Sequence, residues 1–251
     1  MILLYHGIGT PRPEHDPHNL QVAPEAFRAQ LELMRAAGFR FTRVRELVRA
    51  LPEPGLAAVT FDDGMLDNLT TAAAPILAEF GAAATVYVQT GAIGQPNPWM
   101  DPAAGERMMT ADELRELAGL GWEIGGHTVT HPDLARLGRD ECVAEMAAGK
   151  EELERITGTE VVSFAYPFGH YGPAAVEAAR AVGFESAATC VYRGGWDRYE
   201  LRRELVTGRD GLVAFAAKVA GIYEPLVLGR AGTVARRLTA PARRALAGRR
   251  R

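Results

Sequence analysis

The stretch AAVTFDDG, residues 57–64, carries an uncharged run straight into two adjacent carboxylates and a glycine. A run with no polar alternation suits a strand covered on both faces, as in a parallel sheet. Asp62 and Asp63 repel one another, so a strand end is a poor place for both unless something compensates their charge. At the C-terminal mouth of a parallel barrel, functional side chains stand where strands give way to loops, and a cation or ligand can compensate them.

Working outward, similar runs recur at residues 2–6 (ILLYH), 40–44 (RFTRV), 84–88 (ATVYV), 122–126 (WEIGG), 161–167 (VVSFAYP) and 185–189 (ESAAT), with a weaker one at 204–208 (ELVTG). Helical patterns separate them. Residues 23–38 place Phe27, Leu31 and Met34 at helical spacing and end at Gly38, while 67–81 contains Pro75, a candidate kink. Residues 110–121 open with Thr110 and Glu113, the spacing of a capping box, and 138–158 and 172–183 complete the set. This alternation predicts an α/β fold, a (β/α) barrel of about seven parallel strands, for which 251 residues is an ordinary length. The Gly/Pro-rich segment 91–109 is expected to shape a cleft at the barrel mouth.

The balance of 47% hydrophobic and 24% charged residues is that of a globular protein with a full core. Cys142 and Cys190 match no zinc or redox spacing and read as free structural thiols. The start, MILLYHGIGTPRPE, has no basic leader, and no stretch reaches the ~18 apolar residues needed to span a bilayer, so the expected location is cytoplasmic. Eight of the 28 basic residues, all arginine, fall in residues 230–251, which hold no acid; residues 1–229 keep 20 bases against 31 acids. An acidic body with a short basic tail is not a nucleic-acid footprint, and no nucleic acid is expected as a partner. The tail is a candidate for peripheral contact with an anionic membrane face. The expected organisation is a barrel over 1–208, a helical extension over 209–229 and the Arg-rich tail over 230–251.

His127 and His131, in GGHTVTHPDL, follow the fifth strand and are four residues apart, so one helical turn would put both imidazoles on one face. Two histidines and one carboxylate leave coordination positions open, the mark of a catalytic metal site. One of Asp62 and Asp63 can then bind the metal and the other can act as a base.

TFDDG, HTVTHP and YPFG, in this order and spacing, resemble the polysaccharide deacetylase family with its NodB-homology domain. The resemblance covers roughly residues 1–208, and LLYHGIG and FAYPFGHYG are similar to one subgroup. It implies a distorted (β/α) barrel and hydrolysis of an N-acetyl, less often an O-acetyl, group from an acetylated carbohydrate such as an N-acetylhexosamine-containing glycan or its precursor. It further implies Asp63, His127 and His131 as ligands of one divalent metal, usually Zn2+ and sometimes Co2+ or Ni2+, and Asp62 as catalytic base. Phe168 and Tyr166 of the YPFG segment, with Trp99 and Leu201, are candidates for contacts with the substrate or its oxyanion, and Trp196 with Leu201 for an acetyl-methyl pocket. Thr128 and Thr130 are expected to hold the ligand loop by hydrogen bonds.

Two departures qualify the resemblance. Ala165 stands where many members carry an arginine paired with the catalytic aspartate. Leu201-Arg202-Arg203 stands where many have Leu-x-His with a histidine acid, and arginine is a poor acid. Arg202 or Arg203, with Arg203 preferred, is therefore the expected partner of Asp62, and His6 the first candidate for the proton donor, ahead of His170. His15 and His18 are expected in a surface loop. The competing readings are hydrolysis of another small C–N bond, such as a formamide or ureide, and a glycan-binding pseudoenzyme.

Overall fold

The computed structural model describes residues 1–10, 12–50, 53–70, 73–190 and 197–221. The chain divides into two compact units, residues 1–209 and 210–251. Trp196 and the basic tail fall outside the described residues, and with them the methyl-pocket and membrane expectations.

The strands of the first unit are β1 (Ile2–Tyr5), β2 (Gly7–Ile8), β3 (Gln21–Val22), β4 (Arg40–Thr42), β5 (Leu56–Phe61), β6 (Thr85–Val88), β7 (Glu123–Gly126), β8 (Ser163–Ala165), β9 (Ser186–Thr189), β10 (Leu201–Arg202) and β11 (Glu204–Leu205). Its helices are α1 (Pro24–Ala36), α2 (Val44–Ala50), α3 (Asp67–Thr70), α4 (Ala73–Glu79), α5 (Ala111–Gly119), α6 (Arg139–Thr157) and α7 (Pro173–Val182). Nine strands form one sheet in the order β10-β9-β8-β7-β6-β5-β1-β11, with β4 also on β5. Every pairing in it is parallel.

The sheet curls into a nearly closed barrel, and two details explain its irregular shape. Ala58 pairs with Ile2 on one edge and Thr42 on the other, while Thr60 and Phe61 pair with β6 on that same second edge. β4 and β6 therefore share one edge of β5. The seam lies at residues 201–205: Leu201 and Arg202 pair with β9, and Glu204 and Leu205 pair with β1. Arg203 sits between, facing inward and almost fully buried.

The outer face of the mouth-forming strands is anchored by α1, where Tyr5, Phe27 and Phe61 meet with ring centroids 5.0–6.0 Å apart. Full burial of each such ring stabilises the fold by about 1.5–3 kcal/mol. The end of the barrel where strands start is covered by α2, whose Val44, Leu47 and Val48 pack against Ile2, Ala58, Ala188 and Leu201. The α2 entry is fixed by Val44 N–H donating to Thr85 Oγ1 and Arg45 N–H donating to buried Glu123. The expected strand over 40–44 thus stops at Thr42, and Val44 opens this helix instead.

The Thr110–Glu113 capping box forms as expected, Glu113 Oε2 accepting from Thr110 N–H at 2.8 Å. Glycines in the left-handed region, Gly158 and Gly183, end α6 and α7. The pattern over 67–81 resolves into α3 and α4, with Pro75 in the first turn of α4, where a missing N–H breaks no helical bond.

In the second unit, α8 (Leu212–Val219) is the described element, and Lys218 Nζ donates to Asp210 at 2.8 Å. No helix among the described residues is long and apolar enough to cross a membrane.

Candidate metal centre

Inward-facing positions alternate along each strand, so Ala58, Thr60 and Asp62 follow one another up the barrel interior towards the mouth. Asp62 N–H still donates to Tyr5 O at 3.0 Å, which keeps it in register with β1. The chain then turns sharply, Asp63 at φ 71° and Gly64 at φ 85°. That turn aims Asp63 at the residues leaving β7.

There His127 N–H donates to Val88 O, Thr128 adopts φ 69° and His131 φ 58°. Thr128 Oγ1 accepts from His131 N–H at 3.0 Å and donates to the His127 carbonyl. Asp63, Thr128, His131 and Phe168 (φ 58°) are all non-glycine residues held in the left-handed region. Such conformations cost of order 1–3 kcal/mol each and concentrate where function requires a fixed geometry.

The result is a compact triad. His131 Nε2 lies 3.1 Å from His127 Nε2, and Asp63 Oδ1 lies 3.6 Å and 3.5 Å from the two nitrogens. These separations bracket the edge of roughly 3.3 Å of a tetrahedron with metal–ligand bonds of about 2.0–2.1 Å. Asp63 Oδ1 is buried without a hydrogen-bond partner. His127 Nδ1 is 2.7 Å from Ala165 O, which makes it the protonated nitrogen and turns the Nε2 lone pair towards the triad. Burial, reinforced by the Asp62 charge alongside, pushes Asp63 well above the usual carboxylate range; burial, with His127 beside it, pushes His131 down to about 3. Two neutral imidazoles and an orphaned carboxylate oxygen fit a divalent cation.

Beside the triad, Asp62 receives a bidentate fork: Arg203 Nη1 to Oδ1 at 2.7 Å and Nη2 to Oδ2 at 2.8 Å. Arg203 also donates to Thr189 O at 3.1 Å and Thr60 Oγ1 at 3.2 Å, and lies 5.2 Å over the Tyr87 ring. Burial pushes Asp62 up, but the Arg203 charge and hydrogen bonds, with His127 and His6, outweigh it and hold the carboxyl below its ordinary value. Arg202 turns instead to Glu204 at 2.7 Å.

A cavity of about 270 Å³ opens onto these groups, lined also by His6, Trp99, Phe168 and Cys190, with His18 and Leu20 at its edge. Trp99 and Phe168 stand edge-on to His131 at 4.8 Å and 4.6 Å. The insertion 91–109 thus contributes to the wall.

Other expected residues lie elsewhere. Leu201 is one inward layer deeper than Arg203 and packs against α2, away from the mouth. Tyr166 is buried, its OH donating to Tyr199 O at 2.9 Å. His170 pairs with Asp133 at 3.4 Å and His15 with Asp101 at 3.5 Å. His18, expected in a surface loop, is exposed and lines the cavity edge.

Two site roles escaped the sequence reading, that of Glu145 and that of Cys190, which read only as a free structural thiol. Glu145 on α6 accepts from Val129 N–H and Thr130 N–H, both at 2.9 Å, and from Thr130 Oγ1 at 2.8 Å, so it clamps the loop between the two histidines. Cys190 reaches the cavity wall immediately after β9. Glu145 is one acid among many on its helix and Cys190 follows an unremarkable strand, so neither carried a signal.

The family profile described as polysaccharide deacetylase matches residues 51–187. The chain belongs to the polysaccharide deacetylase family. It is similar to YxkH of Bacillus subtilis (strain 168), 26% identical over 193 residues, 75% of this chain and 63% of that protein. It is 32% identical to a chitin deacetylase of Colletotrichum lindemuthianum over 42% of this chain and 39% of the other. The chain thus spans less than two thirds of the length of these curated relatives. Among solved structures, the Streptococcus pyogenes deacetylase PplD in complex with acetate aligns with a TM-score of 0.71 and 29% identity, over 83% of this chain and 92% of that one.

Proposed function

We propose that this family member hydrolyses acetyl groups from an N-acetylhexosamine-containing glycan or glycan precursor, using one divalent cation, Zn2+ by first choice, held by Asp63, His127 and His131. The observation that carries the reading is Asp62, charged and free of the triad, beside a cluster whose spacing suits a cation. PplD, similar over most of both chains, was solved with acetate, the product expected here.

When bound, the cation would supply Lewis acidity, lowering the pKa of water and polarising the amide carbonyl. Asp62 acts as general base; the Arg203 fork fixes its plane while each oxygen keeps a lone pair. The Phe168 N–H, in the YPFG turn at the cavity wall, is the candidate donor to the developing oxyanion. Trp99 and Phe168 supply apolar ring surface for a sugar. His6, with a buried and unpartnered Nδ1, lines the same cavity and is the candidate to serve the departing amine. Burial pushes its imidazole down to about 4, so at neutral pH it enters uncharged and can serve by relaying a proton rather than arriving with one.

The test is a screen of zinc-loaded protein against acetylated chitin oligosaccharides and small formamides, scoring acetate and formate. Acetate release that disappears in Asp62→Asn supports the reading. Formate release without acetate, or equal rates in wild type and variant, contradicts it.

A further inference from the structure

The fork on Asp62 requires the Arg203 guanidinium at one depth and one angle. Its hydrogen bonds run from Nε to Thr189 O and from the Nη atoms to Thr60 Oγ1 and the Asp62 carboxylate. The same group has an aromatic neighbour, Tyr87, over whose ring the Arg203 Cζ stands 5.2 Å from the centroid. The Arg203 side chain has no exposure, so its charge depends on these neighbours. Tyr87 is itself buried and does not line the candidate cavity.

The strands are built to receive that ring. Tyr87 on β6 is in register with Gly125 on β7. A Cβ at Gly125 would fall 2.5 Å and 2.6 Å from two carbons of the Tyr87 ring and 3.0 Å from Ser163 Oγ, so only glycine leaves the ring its place. One inward layer deeper, buried Glu123 accepts from Thr85 Oγ1 at 2.9 Å and from Ser163 Oγ at 2.7 Å, tying β6, β7 and β8 together under the ring. Ala165, two residues along β8 from Ser163, is buried and small. The ring is thus the packed member of the pair, and Arg203 is the long, flexible one that comes to rest over it. An aromatic face attracts a guanidinium through its quadrupole, most strongly where water is excluded, and an aliphatic side chain of similar size does not.

We propose that Tyr87 is a positioning residue for the candidate base: seated on Gly125, its ring holds Arg203 in the orientation that gives Asp62 both bonds of the fork. Tyr87 reaches the reaction only through those two side chains. The proposal rests on the deacetylase reading, in which Asp62 is the general base.

The test measures kcat, KM and zinc content of the full chain for Tyr87→Leu and Tyr87→Phe, each with Arg or Lys at position 203. Tyr87→Leu is expected to lower kcat about tenfold, equivalent to about 1.4 kcal/mol, with KM and zinc content unchanged. Tyr87→Phe, which restores the ring, should recover the rate. In Arg203→Lys, where no fork is left to orient, Tyr87→Leu should cost no more than about twofold, whereas independent contacts would give the same loss in both backgrounds. Equal losses in the two backgrounds, a Tyr87→Phe as slow as Tyr87→Leu, or an unchanged kcat in Tyr87→Leu overturns the proposal. Nitrogen-15 NMR of the guanidinium groups reads the same contact without turnover. Separate Nη–H signals of Arg203, assigned by their loss in Arg203→Lys, are expected in wild type and Tyr87→Phe, and should merge through faster rotation in Tyr87→Leu. Signals already merged in wild type, or unchanged in Tyr87→Leu, overturn it. Absence of acetate from every substrate would count against the hydrolase reading alone.

Discussion

Arg203 grips Asp62 from the seam of the barrel, two guanidinium nitrogens on two carboxylate oxygens at 2.7 Å and 2.8 Å. The residue lies between the segment that pairs with β9 and the segment that pairs with β1, so the contact that orients the candidate base also fastens the last strand. Removing Arg203 would leave a buried carboxylate uncompensated. Arg203→Ala is expected to lower unfolding free energy by about 3–5 kcal/mol, measured by urea denaturation. Metal content should be retained while kcat falls; Arg203→Lys, which keeps the charge but not the fork, should lie between.

The same pair sets an acid limit. Asp62 has a depressed folded-state pKa, so its stabilising contribution is fully present above its ordinary value of 3.8 and is lost as pH falls through the lower folded value. Without Arg203, burial is opposed only by His127 and His6, and the carboxyl moves up. The acidic limb of kcat/KM should therefore move to higher pH in Arg203→Ala; an unmoved limb would show that Asp62 is not the base or that Arg203 does not tune it.

Asp67 predicts the opposite slope. It is buried, with Gln21 Nε2 donating to it at 2.8 Å and Asn68 Nδ2 at 3.1 Å. Burial, opposed by Gln21 and assisted by Glu106, raises it to about 7. A carboxyl raised on folding binds more protons folded than unfolded, so stability should decline as pH rises from about 4 to 7. The loss is roughly 2–4 kcal/mol, and Asp67→Asn should flatten that part of the profile in denaturation measured at pH 4, 5.5 and 8.

Glu145 should matter to metal affinity without touching the metal. Its carboxylate holds three groups of the loop between His127 and His131. Glu145→Ala is expected to weaken zinc binding by about 10–100-fold, the usual effect of losing a group that orients ligands. Competition with a chromophoric chelator measures this; unchanged affinity would show that the left-handed turns at Thr128 and His131 suffice.

The parts of this molecule that were legible in sequence are those written in local patterns. The run ending at Phe61, the Phe27–Leu31–Met34 spacing and the Thr110–Glu113 cap each report a strand or helix through neighbours a few residues away. Grouping the Asp62–Asp63 pair with His127 and His131 needed only the rule that barrel strands end at one mouth, while the choice of Asp63 as the ligand came from the family resemblance. Leu201 and Arg203 show the limit. A two-residue offset along an inward-facing strand is one full layer of the interior, so Arg203 reaches Asp62 while Leu201 packs on α2. No local pattern shows which layer of the barrel lies at the mouth. The start of α2 was hidden for a related reason, since RFTRV reads as a continuous strand and only the packing of Val44 under the barrel ends it at Thr42. Glu145 acts across tertiary space on a loop some fifteen residues away, which periodicity does not encode.

The central claim is that Asp63, His127 and His131 hold one divalent cation on which acetate release depends. The most direct measurement is metal content by elemental analysis, paired with acetate release from chitin oligosaccharides, for zinc-reconstituted wild type and His131→Ala. The account predicts one zinc per wild-type chain with turnover, and the loss of both together in His131→Ala. Acetate released at the wild-type rate by protein stripped of metal would contradict it.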